Sequence, residues 1–198
     1  MAKKTFSRIQ NTAETCLPIC LMTLLDHRSI EVKDTEEMNI LINGLKMTRL
    51  DYALGQLKYV VEKYGVSMDA VIENTLFYNE LSKLKHPSEL KLENKKVDKK
   101  LITDIISRTN PIVYIDRFYL GGDYHYPHFV IVTSFNNNKT RVFDPWLGGE
   151  MLVNTKRFIR AVQGLSNTLN YPQSSSLLYS LRLYHSLLKL YAHLTHTL

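Results

Sequence analysis

Long hydrophobic runs are missing from this sequence of 198 residues. No stretch reaches the run of about 18 apolar residues that a transmembrane helix requires, so we expect no transmembrane segment. Residues 1–8 are polar and basic and do not lead into the apolar segment of a secretory signal. Together these absences predict a cytoplasmic protein.

Cysteine is also scarce. The sequence has 2 cysteines, Cys16 and Cys20, and no C-x-x-C pair or Cys/His ligand set surrounds them. This pattern argues against a structural zinc site. We therefore expect neither a metal nor an organic cofactor.

Acidic residues are fewer than basic residues. The sequence has 19 Asp and Glu residues and 25 Lys and Arg residues, which give a formal net charge of +6. The lysines cluster at 83–100 and are not interleaved with aromatic residues, as they are in nucleic-acid-binding stripes. We interpret this stretch as a solvated helix surface and predict no nucleic-acid partner. A patch for nucleic acid or an anionic membrane is the less favoured alternative.

The stretch 10–25, QNTAETCLPICLMTLL, places a cysteine directly before an apolar run at helical spacing. Leucines recur at intervals of three and four residues and mark one buried face, and Pro18 fits the first turn of a helix. Cys16 is therefore predicted at a helix N-terminus, where the free N–H groups and the helix dipole favour a thiolate. A thiolate is the form of cysteine that attacks carbonyl carbons.

Gln10 lies six residues before this cysteine. Its side-chain amide and the backbone N–H of Cys16 can point at one spot and form an oxyanion hole. The alternative interpretation is that Cys16 is a packed core residue, because cysteine is among the most buried residue types. Cys20, one turn later, is best explained as a small buried hydrophobe.

The second half of the chain alternates β-branched and aromatic runs with Gly, Asn and Asp clusters, which predicts an antiparallel sheet. A turn at 136–139, Asn-Asn-Asn-Lys, joins a strand that begins at His128 to a strand that ends at Asp144. The hairpin is expected to bring the imidazole and the carboxylate side by side. A general base and its orienting partner need this arrangement.

Other polar and aromatic residues near this hairpin receive structural interpretations. Asp116 and Arg117 alternate with apolar neighbours and are predicted on the solvent face of a strand. His125 is expected in a loop at the mouth of the site, with Asp123 as a turn residue. Trp146 is either a core anchor under the site or an exposed wall of a substrate cleft.

Composition divides the chain into a domain and an appended C-terminal element. Residues 1–165 are predicted to form one domain. Residues 166–176, which include Pro172 and a serine run, are predicted to be a linker, and residues 177–198 an amphipathic helix. The apolar stripe of that helix fits either docking on the domain or pairing with a second copy in a homodimer, and a membrane-surface role is less favoured.

The order of the singled-out residues resembles that of the papain-like cysteine peptidases: Gln10, Cys16, His128, Asp144. Within them the sequence is most similar to the C39-type peptidase domains, which include the leader-peptide-cleaving domains of bacteriocin exporters. The matching pieces are QNTAETCLPICLMTLL, HFVIVTSF and TRVFDPWLGG, within residues 5–160. The resemblance implies an α+β papain-like fold in which an N-terminal helical half, with the cysteine helix, packs on a C-terminal antiparallel sheet.

The same resemblance implies one role for each of the four residues. Cys16 is the nucleophile, and His128 is the general base and then the general acid. Asp144 orients His128, and Gln10 is the oxyanion donor. Leu17 departs from the family, which commonly has glycine after the cysteine, and a side chain there is expected to narrow the approach to Cys16.

These observations predict a thiol hydrolase that cleaves a peptide or isopeptide bond in a peptide or protein substrate through a thioester on Cys16. An acyl or amide transferase needs the same residues, with an amine in place of water. A peptidase-like module that binds a peptide without cutting it is a further alternative, and Leu17 motivates it. In a third alternative, the segment 177–198 dominates and the protein acts in assembly or at a surface.

Overall fold

The structure is a computed structural model that describes residues 6–47, 52–168 and 190–195. Within these three ranges, none of the helices combines the length and the hydrophobicity needed to span a membrane.

Six α-helices are present in the described ranges, and two short 3-10 turns, at Ala13–Thr15 and Arg117–Leu120, accompany them. The helices are α1 (Cys16–His27), α2 (Glu36–Met47), α3 (Tyr52–Tyr64), α4 (Thr75–Leu81), α5 (Lys99–Ile106) and α6 (Thr155–Thr168). Side-chain caps begin two of them: Asn74 accepts the Phe77 N–H at the start of α4, and Asp98 accepts the Leu101 N–H at the start of α5.

In the described part of the chain, seven strands form one sheet in the order β2-β1-β7-β3-β4-β5-β6. They are β1 (Ser67–Ile72), β2 (Leu90–Asn94), β3 (Ile112–Asp116), β4 (Pro127–Phe135), β5 (Lys139–Asp144), β6 (Gly149–Asn154) and β7 (Leu190–Thr195). Only the β1–β2 pair is parallel among these strands. The sheet is therefore mainly antiparallel, as the second half of the sequence predicts.

Two buried clusters pack on the two faces of this sheet. Leucines of α1 join residues of α2 and α3 and one set of alternate strand residues, including Phe129 and Phe143. The other set, including Val130 and Val142, packs with α5 and α6. Because neighbouring residues of a strand point to opposite faces, the apolar runs of β4 and β5 supply both clusters. The cysteine helix is thereby held against the strands that carry His128 and Asp144.

The C-terminal helix predicted at 177–198 is wrong at 190–195, which form β7. This strand pairs antiparallel with β1 on one side and with β3 on the other. Because β7 pairs with a strand on each side, tertiary context overrides the helical period of its sequence. Residues 177–189 and 196–198 lie outside the described residues, as does most of the predicted linker, whose first residues 166–168 belong to α6.

The lysine-rich stretch at 83–100 is exposed as predicted, but it is not one helix surface. It contains β2, which pairs in parallel with β1, and the first residues of α5. The described lysines of this stretch all lie at the surface. The prediction is therefore confirmed for solvation and wrong for secondary structure.

Candidate active site

His128 and Asp144 meet at the open end of the β4–β5 hairpin. His128 Nε2 lies 2.7 Å from Asp144 Oδ1, and both side chains are almost completely buried, at 1% and 0% exposure. The turn between the strands is held by Asn136, whose side chain accepts two backbone N–H groups. The hairpin thus places the imidazole and the carboxylate in contact, as the sequence predicts, and the register, which pairs Ile131 with Phe143, makes this contact a diagonal one.

Cys16 is the first residue of α1 and directly follows the 3-10 turn Ala13–Thr15. Its side chain is buried, at 6% exposure, and it is close enough to His128 to raise the pKa of the imidazole. Because Nε2 of His128 contacts Asp144, Nδ1 is the ring nitrogen that remains for the sulfur. The imidazole therefore interacts with a thiol at a helix N-terminus and with a buried carboxylate.

The electrostatics of His128 follow from these two partners. Burial by itself lowers the pKa of His128, but hydrogen bonds to Asp144 and Cys16 and the negative charges of both groups outweigh burial and raise the pKa to about 9. The imidazolium form is thus favoured at neutral pH. A thiol beside a neutral imidazole can transfer its proton to the ring, and the imidazolium that forms stabilises the thiolate.

Cys20 behaves as the sequence predicts, as a small buried residue. It is 0% exposed, and its Sγ lies 3.6 Å from the carbonyl oxygen of Phe129. Burial raises the pKa of the Cys20 thiol well above its ordinary value, and the negative charges of Cys16 and Asp144 add to this effect. Cys20 is therefore an unreactive thiol next to the candidate nucleophile.

Gln10 lies beside the same hairpin end. Its backbone N–H donates to the carbonyl oxygen of Pro145 at 2.9 Å, one residue after Asp144. Its side-chain Nε2 donates to the carbonyl oxygen of Thr12 at 2.7 Å, in the turn that precedes Cys16. The side chain is 9% exposed, and its Oε1 has no hydrogen-bond partner within the described part of the chain. One nitrogen-bound hydrogen of Gln10 thus remains for a ligand, because an amide nitrogen carries two.

Arg117 is a residue of the site that the sequence interpretation missed. Its Nε donates to Asp144 Oδ2 at 3.1 Å, and its guanidinium lies 5.9 Å from the ring centre of Tyr126. The prediction of a solvent-facing Arg117 is wrong, because β3 ends at Asp116 and the following 3-10 turn redirects the chain. No local signal in the sequence marks Arg117, because its pairing with Asp144 depends on β3 lying beside the His128 strand.

Asp116 is also buried, at 0% exposure, so its predicted place on the solvent face is wrong. Its Oδ2 lies 2.6 Å from His125 Nδ1, and its Oδ1 accepts the Phe118 N–H. The imidazole of His125 is 44% exposed and stacks on Phe118, with 4.2 Å between ring centres. His125 thus lies in the loop before His128, as predicted, where Asp116 anchors it.

The structure shows whether the side chains of Leu17 and Trp146 are buried or exposed. Leu17 is 0% exposed and belongs to the core cluster under the sheet, so the expectation that its side chain narrows the approach to Cys16 is wrong. Trp146 is 47% exposed, so it is not a core anchor. Its backbone N–H donates to Asp144 Oδ1 at 2.9 Å.

Within the described ranges, no group of three or more His, Cys, Asp or Glu side chains is arranged to hold a metal ion. The two histidines near the hairpin end each contact a different carboxylate, Asp116 or Asp144. The arrangement of Cys16, His128 and Asp144 can transfer a proton between the Cys16 sulfur, the His128 imidazole and a bound molecule.

No protein-family model matches the sequence, and no curated protein matches it. The peptidase domain of Streptococcus ComA, a bi-functional ABC transporter involved in a quorum-sensing pathway, matches in structure over 98% of this chain and 100% of its own, with a TM-score of 0.51 and 13% identity. A double-glycine-motif protease from an AMS/PCAT transporter, in complex with the leader peptide, matches over 82% of this chain and 88% of its own, with a TM-score of 0.47 and 15% identity. The likeness to the ComA domain shows the fold and confirms the predicted α+β, papain-like architecture.

Proposed function

We propose that this chain is a C39-like cysteine peptidase that cleaves a peptide or isopeptide bond through a thioester on Cys16. The observation that supports the proposal most directly is the buried imidazole of His128, which contacts Asp144 and has its pKa raised by Cys16 at a helix N-terminus. The fold shared with a peptidase domain is consistent with it.

In the acylation step, the Cys16 thiolate attacks the carbonyl carbon and forms the C–S bond, while the carbonyl oxygen takes the negative charge. The free N–H of the Gln10 side chain and the backbone N–H of Cys16 stabilise that oxygen. When the intermediate collapses, the C–N bond breaks and the leaving nitrogen takes a proton from the His128 imidazolium. The products of this step are a free amine and a thioester.

In the deacylation step, neutral His128 accepts a proton from water as the water oxygen attacks the thioester carbon. The C–O bond forms, the C–S bond breaks, and the acid product leaves with the Cys16 thiolate and the imidazolium restored. Asp144 keeps the ring oriented through Nε2 in both steps. The same residues would run acyl transfer if an amine replaced the water.

A peptide substrate is supported by the apolar surface beside these residues. Ile9, Trp146 and Leu147 are 58%, 47% and 55% exposed, and they are neighbours in sequence of Gln10 and Asp144. A Cβ at Gly148 would lie 3.1 Å from Ile9 Cβ, so the two segments are in close contact. Exposed apolar side chains of this size suit the side chains of a bound peptide.

The burial of Leu17 removes the observation that motivated a non-cutting peptide-binding module. The peptidase proposal is tested by incubating the protein with a library of proteome-derived peptides and identifying new termini by mass spectrometry. We expect cleavage by the wild type and by Cys20→Ala, and none by Cys16→Ala or His128→Ala. Cleavage that survives in Cys16→Ala, or no cleavage by the wild type across the library, would contradict the proposal. Product masses separate hydrolysis from transfer, because water and an amine add different masses.

A further inference from the structure

The segment 7–11, which we call the Gln10 strap, borders a surface pocket of about 420 Å³. Ile19 and Met22 of α1 and Asp34 and Glu37 at the start of α2 are among the residues that line this pocket with the strap. A segment gains little from van der Waals contact on a side that faces open space. Polar contacts that anchor the strap therefore help to fix the position of Gln10.

The first anchor is Arg8, two residues before Gln10. Its Nε lies 2.5 Å from Asp26 Oδ2 at the end of α1, and its Nη1 lies 2.7 Å from Asp34 Oδ1. Its Nη2 donates to the carbonyl oxygen of Val32 at 2.5 Å. The planar guanidinium thus spans three acceptors in a fixed geometry, which a single ammonium group cannot reproduce.

The second anchor is Glu37, which is 2% exposed in the first turn of α2. Its Oε1 accepts the backbone N–H of Asn11 at 2.9 Å, and its Oε2 accepts the Asn11 side-chain amide. Asn11 directly follows Gln10. The two anchors therefore hold the strap on either side of Gln10, and the Gln10 N–H to Pro145 bond ties it to the hairpin end.

We propose that Arg8 and Glu37 are positioning residues that hold the Gln10 side-chain amide where the oxyanion of the substrate develops. This inference rests on the proposed function, since it assigns a task to the Gln10 amide. Both residues act through Gln10 and not through Cys16 or His128. Their loss should therefore impair reactions that pass through an oxyanion and spare reactions that do not.

The test compares two small electrophiles on the intact chain. p-Nitrophenyl acetate acylates the Cys16 thiolate through a tetrahedral oxyanion: the C–S bond forms, the ester C–O bond breaks and p-nitrophenolate leaves. Iodoacetamide alkylates the same thiolate by direct displacement: the C–S bond forms, the C–I bond breaks and iodide leaves, with no oxyanion. The ratio of the acylation rate constant to the alkylation rate constant reports oxyanion stabilisation separately from thiolate reactivity.

We expect Gln10→Ala to lower this ratio by up to about 100-fold, the loss typical of an oxyanion donor. Glu37→Gln and Arg8→Lys are expected to lower the ratio about tenfold, because a small displacement of the Gln10 amide slows the acylation reaction strongly. Asn11→Ala, at an exposed position, removes one bond of the Glu37 anchor and should give a smaller loss if Glu37→Gln does not fold. Glu31→Gln, an exposed carboxylate in the segment before α2, is the control and should leave the ratio unchanged.

The double variant Gln10→Ala/Glu37→Gln separates positioning from general destabilisation. We expect it to match Gln10→Ala alone, since the anchor has no task once the amide is gone. Additive losses in the double variant, or an unchanged ratio in Glu37→Gln and Arg8→Lys, would overturn the inference while leaving the peptidase proposal intact. A wild type whose ratio equals that of Gln10→Ala would overturn both the oxyanion role of Gln10 and the inference.

Discussion

The carboxylate of Asp144 accepts hydrogen bonds on both oxygens. Oδ1 accepts from the Trp146 N–H and contacts His128 Nε2, and Oδ2 accepts from Arg117 Nε. Burial raises the pKa of Asp144, but the hydrogen bond and positive charge of His128 and the charge of Arg117 outweigh burial and hold the pKa below its ordinary value. Asp144 therefore stays ionised at neutral pH and keeps a fixed anion beside the imidazole.

Replacing Arg117 with glutamine should destabilise the fold, because it leaves Asp144 buried without one of its two cationic partners. We expect a loss of about 2–4 kcal/mol in the free energy of unfolding, measured by urea denaturation at pH 7. Arg117→Lys retains the charge and should lose less. Arg141→Gln removes an exposed ion pair of 3.9 Å to Glu150 and should change stability by less than about 0.5 kcal/mol. Equal stabilities of Arg117→Gln and Arg141→Gln would contradict this account of Arg117.

Among the residues of the candidate site, the sequence predicts those that local spacing brings together. His128 and Asp144 could be paired because the turn brings the outer ends of their strands together, although the register pairs Ile131 with Phe143 and leaves His128 diagonal to Asp144. Arg117 and Asp116 could not be assigned, because apolar alternation continues past the point where β3 ends and the chain turns. The burial of Leu17, in contrast, was predicted, because the three- and four-residue spacing of the leucines in α1 marks one buried helical face.

Helices α2 and α3 approach each other closely at Gly44. A Cβ at this position would lie 2.6 Å from the backbone oxygen of Tyr52 and still closer to Cγ of Gln56. The start of α2 also carries Glu37, one of the anchors of the Gln10 strap. The packing of these two helices therefore bears on the position of Gln10.

We expect Gly44→Ala to destabilise the protein by about 1–3 kcal/mol despite the better helix propensity of alanine, because a backbone atom cannot move aside as a flexible side chain can. Gly149→Ala is the matched control, since a Cβ there meets nothing within 4 Å. Thermal unfolding followed by circular dichroism measures both. A Gly44→Ala protein as stable as Gly149→Ala would show that the two helices separate at little cost.

At the level of elements, the sequence predicts those with strong local signals. The acidic start of α2, the glycine after α3 and the β4–β5 hairpin all correspond to elements of the structure. The strand β7 was predicted as a helix because its residues fit a helical stripe, and its pairing partners lie more than 70 residues earlier in the chain. Pairing over such separations leaves no local pattern to recognise.

The sheet as a whole depends on β7. This strand lies between β1 and β3, so it connects the β1–β2 pair to the four strands that carry the candidate site. Helices α1–α3 pack on one face of this sheet and α5 and α6 on the other. The molecule is therefore one sheet with two helical layers, and its C-terminal strand is part of the core architecture.

Deleting residues 169–198 should destabilise the whole molecule, because β1 and β3 would each lose a partner strand. We expect the midpoint of thermal unfolding to fall by about 10 °C or more, corresponding to about 3 kcal/mol or more for a chain of this size. Deleting only residues 196–198 keeps β7 and should leave the midpoint unchanged. A shortened chain that melts at the wild-type temperature would contradict the role assigned to β7.

The proposed peptidase activity depends on an imidazole-activated thiolate at Cys16. The most direct measurement is the pH dependence of Cys16 alkylation by iodoacetamide, followed by peptide mapping, in the wild type, His128→Ala and Cys20→Ser. Because the pKa of His128 is raised to about 9, the ring stays protonated beside the sulfur up to that pH and loses its proton above it.

We therefore predict fast labelling of Cys16 at pH 6–7 in the wild type and in Cys20→Ser, with a further change near pH 9 as the imidazolium is lost. His128→Ala should label slowly until about pH 8.5, as an ordinary thiol does. Three results would contradict activation of Cys16 by His128. They are wild-type labelling that rises only above about pH 8, identical profiles in the wild type and His128→Ala, and preferential labelling of Cys20.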